Sequence, residues 1–337
     1  MVGIRDFRKL QLGKETTAGT AVDATTIWRG RAVWNDETEI SKVEEDTGMA
    51  LLQGDADYQS SHSATIDLEE VAATFEQLPY LLAMAIENIT AGVQDGTGGT
   101  GYVYQYDHPT NAAGVLQSYT IEVGDNQRVD EGNYAFGEEV TISGAAGEAL
   151  MMSGTLRCRH NGAPDAEFTT TATLPTTEVI LFNTGKLYLD ATAGTMGTTV
   201  KTGTFRGFEV TLPSGHVPVD TGDGALYYST EVYAGNVENP WTGSLTLLHD
   251  TTGEAELGFA RAGTVRLLKL LFEGSTLGTA GTYTKKTLII SGAIRYSEIP
   301  STEETDGLAE ITLPFEWVWS DSLAGQVIVV NELVTLP

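Results

Sequence analysis

The chain has 337 residues, 41% hydrophobic and 19% charged, which is enough apolar sequence to bury real cores, so a globular protein of about two domains is expected and disorder throughout is excluded. Acidic residues outnumber basic ones 46 to 19, a formal charge of −27, and a surface that repels phosphates excludes a protein that grips DNA or RNA. The single cysteine, Cys158, excludes an intrachain disulfide framework and a thiolate metal cluster, and reads as a small buried hydrophobe.

Residues 1–24 combine Arg5, Arg8 and Lys9 with a small, polar run and read as an extended arm able to reach a neighbour. Neither a signal peptide nor a membrane span is expected, and so synthesis in a cytoplasm is. Residues 25–33 are β-branched, aromatic and roughly alternating, as a half-buried strand requires, and contain Trp28-Arg29-Gly30. Next, Asp36, Glu37, Glu39, Glu44, Glu45, Asp46, Asp55 and Asp57 crowd around Gly48 and Gly54. Such a stretch is a projecting hairpin or loop, either meeting a partner or simply solvated.

Alternation resumes at residues 63–68, and the period then changes. Leu68, Val71, Ala72, Phe75 and Leu78 recur at helical spacing with Asp67 placed as an N-cap, which predicts an amphipathic helix; Pro79 breaks or restarts it, and residues 80–86 suit a second short helix. After a glycine-rich turn at 92–101, residues 102–106 read as a strand carrying Tyr102, Tyr104 and Tyr106 on one face. Strands at 119–123, 139–143 and 151–159 complete a first unit, expected over residues 25–165.

Residues 166–185 read as a linker, and residues 186–337 as a second unit that repeats features of the first. Phe205-Arg206-Gly207 matches Trp28-Arg29-Gly30, and Ile290-Ser291-Gly292 matches Ile142-Ser143-Gly144. The first copy is longer between its two motifs, and that extra length is assigned to its helix and the glycine-rich region after it. In the second unit residues 253–262 are only weakly helical, and residues 265–272 fit a strand or a helix by period, with Val, Leu and Phe favouring a buried strand. Residues 287–296 and 309–319 read as paired strands about an acidic loop, and residues 326–336 as a terminal strand or arm.

Catalytic patterns are missing from the sequence. His62, His108, His160, His216 and His249 lie in no recognisable triad, zinc or nucleophile context, so no enzyme, metal or cofactor is expected. The stretch from Asp220 to Glu231 fails as a calcium loop because Gly222 and Gly224 offer no side-chain oxygen. The pair Lys285-Lys286 reads as a solubilising strand edge.

An arm, a strand with Trp28-Arg29-Gly30, an acidic loop, a helix, and a closing stretch with Ser291-Gly292 and then Glu310-Ile311-Thr312-Leu313-Pro314-Phe315-Glu316-Trp317 together resemble the tail tube proteins, or major tail proteins, of long-tailed bacteriophages. The resemblance implies a mainly β fold of two tail-tube-like β-sandwich or barrel domains, the first with a flanking α-helix. It implies a virion protein made in the host cytoplasm that forms rings and stacks them into a hollow tube through which DNA passes unbound. Self-association is the main partner call, with three duplicated copies making a pseudo-sixfold ring, and tape-measure and tail terminator proteins are the other partners. Two readings of the acidity fit, a non-stick lumen and ordinary solubility. Inter-ring contacts are expected between Arg5, Arg8 and Lys9 and the acids at 36–57. The alternative is a β-sandwich carbohydrate-binding or virion decoration protein, in which Tyr102, Tyr104, Tyr106, Trp317 and Trp319 stack on a ligand, although core packing is the favoured expectation for these aromatics.

Overall fold

Strand-forming stretches leave backbone N–H and C=O groups that only neighbouring strands satisfy, and the chain meets this need with antiparallel pairing almost throughout. The computed structural model describes residues 5–42, 57–110, 114–160, 167–222, 225–235, 237–305, 307–320 and 323–336. The protein is mainly β, 52% strand against 8% helix.

In chain order the first unit holds β1 (Lys9–Lys14), β2 (Thr26–Trp28), β3 (Ala32–Asp36), β4 (Glu39–Lys42), β5 (Asp57–Ser61), β6 (Ser63–Ala72), α1 (Leu78–Ala85), β7 (Asn88–Gln94), β8 (Tyr102–Asp107), β9 (Tyr119–Gly124), β10 (Val129–Ala145) and β11 (Met151–His160). The second holds β12 (Gly185–Ala191), β13 (Val200–Lys201), β14 (Phe205–Pro213), β15 (His216–Val219), β16 (Thr230–Tyr233), β17 (Thr242–Leu248), α2 (Thr251–Arg261), β18 (Arg266–Thr276), β19 (Lys285–Tyr296), β20 (Glu303–Thr305), β21 (Leu308–Trp317) and β22 (Gln326–Asn331).

The duplication is structural. Hydrogen-bonded neighbours run β2-β1-β9-β10-β11-β6-β3 in the first unit. They run β13-β12-β18-β19-β21-β17-β14 in the second, the same path with chain order preserved. Each unit also inserts a hairpin at the same place, β4–β5 and β15–β16, and follows its next strand with a helix. The greater length of the first unit lies in the β7–β8 hairpin, which has no counterpart between α2 and β18.

The units are laced together. The far half of β10 pairs with β14, with Ile142 opposite Val210 and Ala145 opposite Gly207. The last strand, β22, lies between β19 and β8 of the first unit. One apolar cluster therefore extends across both, with Phe182, Phe205, Phe208 and Phe272 stacked at its centre. Burying each such ring stabilises the fold by roughly 1.5–3 kcal/mol. The two repeated glycines serve this packing differently: a Cβ on Gly144 would strike Leu150 and Phe182, and one on Gly292 would strike Trp317. A buried ion cluster adds a further tie, in which Lys286 Nζ of β19 lies 2.6 Å from Glu76 and 3.3 Å from Glu178.

Several expectations need correction. Of the helix anticipated over 68–78, residues 68–72 are the end of strand β6, which pairs with β3 and β11, and residues 73–77 are a turn into the helix; Asp67 bonds across the sheet to Asn35 and Thr155 instead of capping. The helix starts at Leu78, with Pro79 in its first turn, where a missing N–H costs nothing. Helix α2 is the longer of the two: the Asp250 carboxylate accepts hydrogen bonds from Thr252 N and Gly253 N, and Arg261 sits in the last turn. Residues 9–14 of the expected arm form β1, whose Leu10 and Leu12 are buried because β2 and β9 flank it. The described part of the expected linker is tied to the first unit by bridges Thr26–Thr173, Thr74–Val179 and Ala149–Leu181. Lys286 is a structural cation and no solubilising edge.

Candidate assembly surfaces

The two units also meet through a loop. The segment before β16 crosses to the first unit and buries Tyr228 to 2% exposure against Leu116, Tyr134 and Phe136. The Tyr228 hydroxyl donates to Tyr134 O at 2.6 Å. Arg159, at the end of β11, donates through Nε to Tyr228 O at 2.7 Å and through Nη2 to Ser229 O at 2.6 Å, with its guanidinium 4.4 Å from the Tyr134 ring centre. An arginine fork thus fixes the loop's backbone while its planar cationic face covers the Tyr134 ring. Nothing in the sequence reading singled out Tyr228 or Arg159. The Tyr227-Tyr228 pair inside a polar turn was the signal available.

The second surface is an open cavity of about 680 Å³ at the end of β21, lined among others by His108, Tyr233, Pro240, Arg295, Trp317 and Trp319. Trp241, buried behind it, meets both His108 and Trp317 edge to face. Trp319 is 62% exposed, whereas Trp317 is buried and Arg295 pairs with Glu316. Tyr104 and Tyr106 face the core, as the favoured core-packing expectation has it, and their hydroxyls donate to Leu333 O and Pro79 O.

A third surface is a cleft of about 380 Å³ beside β3, where Arg8, Lys9, Arg31 and Arg128 converge with Glu69 and Asp130. Arg8 and Lys9 are thus brought together, and the Lys9 ammonium lies 4.2 Å from the Phe168 ring centre. Arg5 begins a short 3-10 turn. Among the acids, Asp36 ends β3, 3.6 Å from His160 Nε2, and Glu37 accepts hydrogen bonds from Arg157 and Thr65. Burial alone would raise the Asp36 carboxyl, but the Thr38 hydroxyl and amide, with His160 nearby, hold it below the ordinary aspartate value. Glu39 lies in β4 and Asp57 opens β5; Glu44, Glu45, Asp46 and Asp55 fall outside the described residues. Within the chain, no ion pair among the described residues joins Arg8 or Lys9 to the acids at 36–57.

Two further titratable groups are buried. Cys158 is fully buried, which pushes its thiol up, and burial pushes the His216 imidazole down to about 4. Among the described residues no three His, Cys, Asp or Glu side chains cluster as metal ligands, and no helix is long and apolar enough to cross a membrane. Comparison with protein-family models and with curated proteins gives no match.

Proposed function

We propose that the chain is a self-assembling structural protein of a phage tail, whose rings stack into the hollow tube that conducts DNA during ejection. The observation that carries this reading is the repeated strand path of two units joined edge to edge through β10 and β14. Two similar units joined head to tail form a heterologous contact, and repeating such a contact between copies builds a closed ring or an open helix. Three copies would supply six similar units, a pseudo-sixfold ring. The charge of −27 suits a lumen that does not hold phosphates. In this reading the tape-measure and tail terminator proteins are partners, and the protein resides in the virion after synthesis in the host cytoplasm.

Concentrated protein examined by negative-stain microscopy and sedimentation velocity is expected to give rings or tubes, with assembly that depends on ionic strength. Monomers at every concentration and salt level would count decisively against the proposal. If the acids at 36–57 meet Arg5, Arg8 and Lys9 between rings, replacing Glu39, Glu44, Glu45 and Asp46 with Ser should reduce stacking while leaving single rings. A second reading, a carbohydrate-binding or decoration protein, is favoured by one observation, the exposed Trp319 beside an aromatic cavity. Binding to a glycan array by a persistent monomer would support it.

A further inference from the structure

Trp319 lies just beyond the end of β21 and is 62% exposed, yet its backbone is fixed on both sides. Val318 N donates to Ala293 O at 2.9 Å, and Ser320 and Leu323 exchange backbone hydrogen bonds just after it. Trp317 and Trp241 are buried and meet edge to face, their ring centres 6.1 Å apart. The chain therefore holds one large apolar ring open to water beside a rigid aromatic base, and forgoes the stabilisation that its burial would bring. The adjoining cavity of about 680 Å³ falls within the roughly 300–1,000 Å³ that suits a small organic ligand.

The polar groups on its wall are few and of complementary kinds. Arg295 Nη2 pairs with Glu316 Oε1, which leaves the second carboxylate oxygen as an acceptor and further guanidinium N–H groups as donors. His108 is clamped by three contacts: its backbone N donates to Gly325 O, its Nδ1 to Pro109 O at 2.8 Å, and its ring meets Trp241. A carbonyl only accepts, which assigns the ring proton to Nδ1, and burial favours the neutral imidazole by holding it below its ordinary value. Nε2 is then an acceptor with no partner among the described residues.

We propose that this cavity binds an uncharged hexopyranoside, with the sugar ring laid on the Trp319 indole and its hydroxyls bonded to Glu316, Arg295 and His108. A pyranose with mostly equatorial substituents has a C–H face that is apolar and slightly positive, which suits the negative face of an indole. Its rim carries hydroxyls that donate and accept at once, matching a wall with two acceptors and one donor. Charge selects among sugars: a chain of −27 with a carboxylate at the site repels uronic, sialylated and phosphorylated glycans and admits neutral ones. The fixed backbone and the clamped imidazole reduce the ordering that binding demands. The inference deepens the carbohydrate-binding reading and rests on it, and ring assembly neither requires nor forbids it.

The test titrates the full-length protein with neutral gluco-, galacto-, manno- and N-acetylglucosamine tetrasaccharides, and with sialyllactose as the charged comparison, read by calorimetry and tryptophan fluorescence. Saturable binding of a neutral tetrasaccharide is expected, with sialyllactose weaker by about tenfold or more. Trp319→Ala should weaken binding about tenfold or more and Trp319→Phe less, with melting temperatures unchanged because Trp319 is exposed. Glycan binding that tolerates Trp319→Ala would refute this site while leaving a carbohydrate-binding protein. Absence of binding to every neutral probe would end both. Stronger binding of sialyllactose would overturn the ligand class. If instead Trp319→Ala blocks ring formation and no sugar binds, the cavity belongs to a second copy and the inference fails.

Discussion

Truncating Tyr228 tests the loop contact between the two units. Its ring is 2% exposed, packed edge to face on Phe136 and tilted against Tyr134, and its hydroxyl holds Tyr134 O. Tyr228→Ala removes the ring and leaves a void, which for a buried aromatic costs about 3–5 kcal/mol. Tyr228→Phe keeps the ring and leaves one carbonyl without its donor, about 1–2 kcal/mol. The difference between the two, about 2–3 kcal/mol, is the apolar share. Urea unfolding followed by tryptophan fluorescence and circular dichroism should show lower midpoints with an unchanged slope. Arg159→Met strips two carbonyls of their donors at the same place, so in a double-mutant cycle it should couple to Tyr228→Ala by about 1 kcal/mol or more. If Tyr228→Ala costs less than about 1 kcal/mol, or if the two changes add independently, the loop is not docked on the first unit.

Other perturbations separate local from shared stability. His216 is held neutral by burial, with a folded value of about 4 against an ordinary 6.5, so the unfolded chain takes up the proton first as pH falls. Stability is therefore lost between pH 6.5 and 4, by at most about 3 kcal/mol, and His216→Gln should flatten that part of a pH-dependent denaturation series. Asp250→Ala removes the carboxylate that caps α2 and should cost about 1 kcal/mol, read as a lower melting temperature. Lys286→Met leaves the buried Glu76 facing Glu178 without its cation, at a cost of about 3 kcal/mol, measurable by calorimetry; adding Glu76→Gln should recover part of it.

Strand periodicity was readable wherever one face is buried and the other is not, as in β8 with Tyr104 and Tyr106 inward and in β21 with Ile311, Leu313 and Phe315 inward. It failed at residues 68–78, where Leu68, Val71 and Phe75 mimic a helical stripe. Pairing of β6 overrides that local preference up to Ala72, and Phe75 lies in the turn that follows. At α2 the sequence showed only a weak helix, because Gly253 and Gly258 dilute the signal, and the Asp250 cap and the packing of Leu257 and Ala260 outweigh them. The repeat was legible from two short motifs. The shared strand path was not, because it depends on pairings between residues far apart in sequence, and neither was the junction, whose residues Arg159 and Tyr228 come from separate units. Asp36 and Glu37 could not be told from the acids around them, although they are already engaged within the chain by His160 and Arg157.

The last strand has a consequence for how the molecule is made. β22 completes the sheet against β8, yet roughly 220 residues separate them, so a ribosome adding roughly 5–20 residues per second leaves the outer edge of β8 bare for roughly 10–40 s. During that interval the nascent chain presents an unpaired run, Tyr102–Asp107, able to zip onto any exposed strand nearby. Folding of the first half is therefore gated by synthesis of the final residues. A fragment that stops at His160 should misassociate instead of behaving as an independent domain, and a chaperone that shields β8 until β22 emerges should raise the yield of native protein.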